Sequence, residues 1–229
     1  MEKIQAVTGI RAVVFDLDGT LVNSLEDIAF AVNTTLKAHQ REPHPLEAYR
    51  TMVGWGLKKL LVTASASSPF LPDEFDGIYQ ELLALYRSRP VAATRAYEGI
   101  DDLLAGLGSR VPLGIFSNKE DGMTKVIVSS LFPQSGFRTV AGSLPHRPPK
   151  PDPTVLWEML DQWGVEPPHC AYLGDSDVDM ETALRAGVVA CGATWGFRGE
   201  KELIHAGAHE IFRHPEEFRT WLEARLERN

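Results

Sequence analysis

Cysteine is scarce in this chain, with two among 229 residues, Cys170 and Cys191, both in apolar runs. Two cysteines so far apart do not make a disulfide framework; they read as buried, reduced thiols. Long apolar runs are missing too. No stretch nears the roughly 18 consecutive apolar residues of a membrane span, so no membrane association is expected. The first apolar run is short, shows no small-residue cleavage pattern and follows Arg11 directly, unlike a secretory signal. A cytoplasmic location is the expectation. Basic residues are outnumbered, 23 Lys and Arg against 31 Asp and Glu, for a net charge of −8. Nucleic-acid binders usually show the opposite balance. A small anion held by a few local cations remains compatible with it. There is no internal repeat, and only the proline-rich stretch 144–153 is compositionally biased, which reads as a rigid loop. His205 and His209 are four apart, but Gly207 lies between them and no glutamate follows His205, so they form no zinc motif.

What is present is an ordinary soluble composition, 44% apolar and 24% charged, long enough for one large domain or one core with an insert. Ala12-Val13-Val14-Phe15 reads as a strand buried on both faces. It runs straight into Asp16-Leu17-Asp18-Gly19-Thr20. Ionised carboxylates at the end of an apolar strand resist burial unless something cationic compensates them. The pair therefore points to a nucleophile and a proton-transfer group around a metal ion.

From Ser24, a candidate helix N-cap, to about Arg89 every segment is helical: Ile28, Val32 and Leu36 recur at helical spacing, and 46–53, 57–64 and 72–89 follow, separated by Pro, Gly and Ser. No β-rich run interrupts them, so they read as a helical insert. Beyond Gly99 strands and helices alternate. Strands are expected at 113–116, 139–141, 171–173, 188–193 and 210–212. Helices are expected at 121–131, 153–163 (Asp152 as N-cap, Pro153 first), 178–186 (Asp177 as N-cap), 200–206 and 215–226, within a charged amphipathic tail at 216–229. Such alternation predicts an α/β fold with a Rossmann-like parallel sheet covered by helices on both faces.

Ligand sites in such sheets lie beyond the carboxyl ends of the strands. Four strand ends deliver Asp16 with Asp18, then Ser117-Asn118-Lys119, then Lys150 across the proline-rich loop, then Gly174-Asp175-Ser176-Asp177-Val178-Asp179. Oxygen donors suit a hard divalent cation, and a lysine with hydroxyl and amide donors suits a phosphate.

These four motifs, in this order and with a helical insert after the first, resemble the haloacid-dehalogenase superfamily of phosphohydrolases. The resemblance implies a core at 1–22 and 96–229 and an all-helical cap at 23–95. It implies that Asp16 forms an aspartyl-phosphate and that Asp18 is the acid and base. Mg²⁺ would be held by Asp16, the Asp18 carbonyl and Asp175. Ser117, the backbone around Asn118, and Lys150 would hold the phosphoryl oxygens, with Thr20 and Asp179 in support. Asn23 stands where the family often has an aspartate. Val53-Gly54-Trp55-Gly56, Tyr97-Glu98-Gly99-Ile100 and Trp195-Gly196-Phe197-Arg198 look like phosphoglycolate-phosphatase-type members. Arg50, Trp55, Lys58 and Lys59 in the cap, with Arg198, are the candidates for substrate choice. The expected partner is a small phosphorylated metabolite, phosphoglycolate first, and the protein itself is expected to be a monomer or a homodimer. A phosphomutase of the β-phosphoglucomutase type would share the nucleophile. A dehalogenase would typically lack Asp18. A non-catalytic regulatory or binding protein keeping the fold is the alternative from another class.

Overall fold

The computed structural model describes residues 9–108 and 110–226. The start of the expected core at 1–8 and the end of the tail at 227–229 lie outside the described residues.

Strand β1 (Ala12–Phe15) is fully buried and its side chains alternate between two cores. Val13 and Phe15 join one apolar cluster, Ala12 and Val14 the other. That is the period-2 geometry of a strand with a helical layer on each side. The helical run that follows is bracketed by a short antiparallel ribbon, β2 (Val22–Asn23) against β3 (Arg95–Ala96), with Val22 opposite Ala96 and Asn23 opposite Arg95.

Between the ribbon's strands lie α1 (Leu25–Ala38), α2 (Tyr49–Met52), α3 (Leu57–Ala64) and α4 (Pro72–Arg87). Helix α1 buries Ile28, Val32 and Leu36 on one stripe, and α4 buries Ile78, Leu82, Leu83 and Tyr86. Proline at the first position of α4 and acidic first turns in both helices suit a helix N-terminus. The single helix expected at 46–53 is instead a 3₁₀ turn, Leu46–Ala48, leading into α2. Asp27, buried on α1, accepts from the backbone N–H groups of Ala93 and Thr94 and from the Thr94 hydroxyl, which ties the returning chain to this helix.

After the ribbon come α5 (Ile100–Leu107), β4 (Leu113–Glu120), α6 (Asp121–Leu131), β5 (Thr139–Ser143), α7 (Thr154–Trp163), β6 (Cys170–Gly174), α8 (Asp177–Ala186), β7 (Val189–Ala193), α9 (Glu200–His205), β8 (Glu210–Phe212) and α10 (Pro215–Glu223). The six long strands form one parallel sheet ordered β5-β4-β1-β6-β7-β8. The chain builds outward from β1 to β5, then crosses back to β6 and builds the other way. The reversal beside β1 leaves a crevice at the carboxyl edge, where ligands of open α/β sheets bind.

Two helix starts differ from expectation. Helix α7 begins at Thr154, with Pro153 at the N-cap position and Asp152 accepting from the Thr154 N–H at 2.9 Å. Helix α8 is capped by Ser176, with Asp177 its first residue. Ser176 and Asp179 form a reciprocal capping box, which leaves Asp177 no capping role.

Candidate active site

Asp16 follows the last residue of β1, and its backbone N–H donates to Leu173 O on the neighbouring strand. Its side chain is buried. Lys150, 3% exposed, places Nζ 2.7 Å from Asp16 Oδ1 and 2.6 Å from Asp179 Oδ1. Burial works against the Lys150 charge, yet Asp16 and Asp179 outweigh it and hold the ammonium well above its ordinary value. The proline-rich loop is what delivers this lysine. Asn118 fixes the loop there, accepting from the Lys150 N–H at 2.8 Å and donating to the Lys150 carbonyl at 3.1 Å.

Asp175, just after β6, accepts from Thr20 Oγ1 at 3.4 Å and from the Phe197 N–H at 2.7 Å. Glycine is required on both sides of this carboxylate. A Cβ on Gly19, whose φ is +91°, would lie 2.2 Å from Asp175 Oδ2. One on Gly196 would lie 2.3 Å from Gly19 O and 2.4 Å from Asp175 Cβ. The loop after β7 closes over the site through these contacts and through Trp195 Nε1, which donates to Thr20 O at 2.9 Å.

One carboxylate oxygen each of Asp16, Asp175 and Asp179 lies within 4.8 Å of the others, all buried. Burial pushes the Asp16 carboxyl up to about 7, with Lys150 opposing the rise and Asp179 adding to it. Asp175 is raised well above its ordinary value by burial, Asp179 and Asp16. An all-oxygen, anion-crowded pocket of this kind fits a hard divalent cation. Asp179 also serves Lys150, Ser176 and the Tyr172 hydroxyl.

Asp18 is held differently. It accepts from Ser24 Oγ and from Lys119 Nζ, the latter at 2.9 Å to each oxygen. Ser24 thus stands at the N-cap position of α1 but spends its hydroxyl on Asp18 rather than on the helix. Lys119 also donates to the Tyr86 hydroxyl on α4 at 2.6 Å. Burial disfavours its charge, but Asp18 and Tyr86 raise it above the ordinary lysine range. Burial pushes Tyr86 up to about 12, so it meets Lys119 as a neutral phenol. Lys119 and Tyr86 have no place among the expected site residues. Lys119 follows Ser117 and Asn118 directly, which was the available signal; Tyr86 reads as one more apolar-face residue of its helix.

A single cavity is lined by Asp16, Asp18, Ser117, Asn118, Lys119, Lys150, Asp175 and Arg198, with apolar residues from α1, α3 and α4 facing them. Arg198 is buried and ties the loop after β7 to the helical run, donating to Thr51 O and Val53 O and pairing with Glu202. The other four candidates for substrate choice do not line the cavity. Arg50 pairs with Glu47 and donates to Gly196 O, Lys58 pairs with Asp76, and Trp55 and Lys59 are exposed. Lys58 and Lys59 face outward because α3 turns Leu57 and Leu60 inward instead.

Residues 13–193 match the profile of the haloacid dehalogenase-like hydrolases. A phosphoglycolate phosphatase of Rhodospirillum rubrum is 34% identical over 209 residues, 88% of this chain and 86% of the relative. An N-acetylmuramic acid 6-phosphate phosphatase of Pseudomonas aeruginosa is 28% identical over 95% of this chain and 96% of its own length. A crystal structure described as a predicted phosphoglycolate phosphatase from Haemophilus somnus superposes with a TM-score of 0.84, at 26% identity, over 92% of this chain and 97% of that one. The chain belongs to the haloacid dehalogenase-like hydrolase family. Within that family it is a phosphatase.

Proposed function

We propose that the protein is a Mg²⁺-dependent phosphomonoester hydrolase acting on a small organic phosphate through an aspartyl-phosphate. The observation that carries this reading is the buried Asp16 carboxylate with Lys150 Nζ at 2.7 Å and Asp175 beside it. Asp16 and Asp175, with the Asp18 carbonyl, would hold the ion, which when bound offsets the charge of carboxylates and phosphate together. An Asp16 oxygen attacks phosphorus, the ester P–O bond breaks, and Asp18 gives its proton to the leaving alkoxide. Asp18 then takes a proton from water as that water's oxygen attacks phosphorus and releases Asp16. Ser117, Asn118 and Lys150 hold the phosphoryl oxygens, while Thr20 and Asp179 brace Asp175 and Lys150. Residues 23–95 act as a cap over a core at 1–22 and 96–229, shielding the acyl phosphate from stray water.

Phosphoglycolate heads the substrates to test, because it is the compound named for the Rhodospirillum relative. Two cysteines buried as free thiols support a cytoplasmic setting.

The test is turnover of p-nitrophenyl phosphate with and without Mg²⁺, beside Asp16→Asn. Hydrolysis that needs the metal, and falls by a factor of at least about 10³ in the variant, is expected. Equal, metal-independent rates in both proteins would refute the reading.

A further inference from the structure

The cavity above Asp16 has two unlike ends. Its floor is the polar cluster already described. Its wall is apolar, made of Ile28 on α1, Leu57 and Leu60 on α3, Leu83 and Tyr86 on α4, and Met123 on α6. In the proposed reaction the floor takes the phosphoryl group, so the wall faces the alcohol that leaves.

The charged groups around the cavity offer that alcohol little. Lys150 is committed to Asp16 and Asp179, and Lys119 to Asp18 and Tyr86. Arg198 spends Nη2 on two carbonyls and Nε on Glu202; its Nη1 has no partner, but it is covered and presents no surface to the cavity. The remaining charge is Glu120, held ionised against burial by the Met123 N–H and Arg87. An alcohol bearing its own carboxylate would meet this anion and no free cation.

We propose that this site prefers phosphate monoesters whose alcohol has an uncharged, apolar body. The proposal rests on the phosphomonoester reading above and deepens it by naming the substrate class. Phosphoglycolate fits the floor and leaves the wall unfilled. An ester with a short alkyl or similarly apolar body fills both.

The experiment is kcat/KM for the n-alkyl phosphates from methyl to hexyl, with phosphoglycolate alongside, on the Mg²⁺-loaded enzyme. The expected result is a rise of about fourfold per methylene over the short members, with butyl phosphate outrunning phosphoglycolate. The n-alkylphosphonates, which cannot be hydrolysed, should inhibit with the same chain-length dependence in the unmodified protein. Leu57→Asn, at a half-buried position, should flatten both series; a merely structural defect would lower every member equally and keep the slope. A flat or falling series in an enzyme that turns over p-nitrophenyl phosphate, or a slope unchanged in the variant, overturns the proposal alone. No turnover of any ester overturns the phosphomonoester reading and this proposal with it.

Discussion

Lys150 has two carboxylates within 2.7 Å, and all three side chains are buried. Removing one partner of a buried pair leaves the others uncompensated, which costs on the order of 3–5 kcal/mol. Lys150→Met should therefore lower unfolding free energy by about that amount in a urea titration, as well as abolishing turnover. A loss below about 1 kcal/mol, the scale of a solvated surface pair, would contradict the buried-pair account. Several residues of this cluster are legible because chemistry forces them: two aspartates after an apolar strand, and a lysine after a proline-rich loop, have no bland use at a sheet's carboxyl edge. Lys119 and Tyr86 are not, because Lys119 merely follows two polar residues and Tyr86 falls on the apolar face of its helix; they meet each other and Asp18 only in the folded chain. Lys119 reaches Asp18, 101 positions away. Asn118 is visible in the chain, but its side chain proves to bind the Lys150 loop and, at 3.0 Å, the carbonyl of Gly54.

At the scale of elements, periodicity served the amphipathic helices well and the polar strand ends poorly. Helix α6 lies where its pattern predicts, at 121–131. Strand β4 continues four residues past its apolar part, through Ser117, Asn118, Lys119 and Glu120, which are buried or half-buried among site groups rather than core. Nothing in a run of polar residues distinguishes that from a loop. The start of α8 misleads for a related reason, since Ser176 and Asp177 are both good caps and only the reciprocal bond to Asp179 decides between them. Ser176→Ala should cost about 1–2 kcal/mol in helix capping. It should also reduce kcat, because Asp179 then loses one of the contacts that aim it at Lys150. Thermal unfolding and steady-state rates check the two effects separately; an unchanged Tm would dismiss the capping box as a stabilising feature.

The molecule as a whole carries an electrostatic cost at one end of its sheet. Burial pushes the Asp16 carboxyl up to about 7 against 3.8 for an ordinary aspartate. A carboxyl raised on folding stabilises the fold fully below its unfolded value. That contribution is lost as pH climbs through the folded value. The metal-free fold should thus weaken between about pH 4 and 7 from this group, and Asp175 shifts the same way. A bound divalent ion relieves the repulsion only where the carboxylates are ionised. Mg²⁺ should accordingly raise Tm more at pH 8 than at pH 5, as differential scanning fluorimetry can measure. An equal rise at both would mean the ion binds elsewhere.

The ribbon of Val22–Asn23 and Arg95–Ala96 has one more consequence. The chain leaves and re-enters the sheet layer at points two residues deep and side by side, so everything between them is, to the sheet, a single long hairpin. A lineage carrying this architecture can lengthen, replace or recombine the intervening segment at one seam while Asp16, Asp18 and Lys150 keep their places at the sheet. Relatives named for a two-carbon acid and for an amino-sugar acid both share recognisable sequence with it.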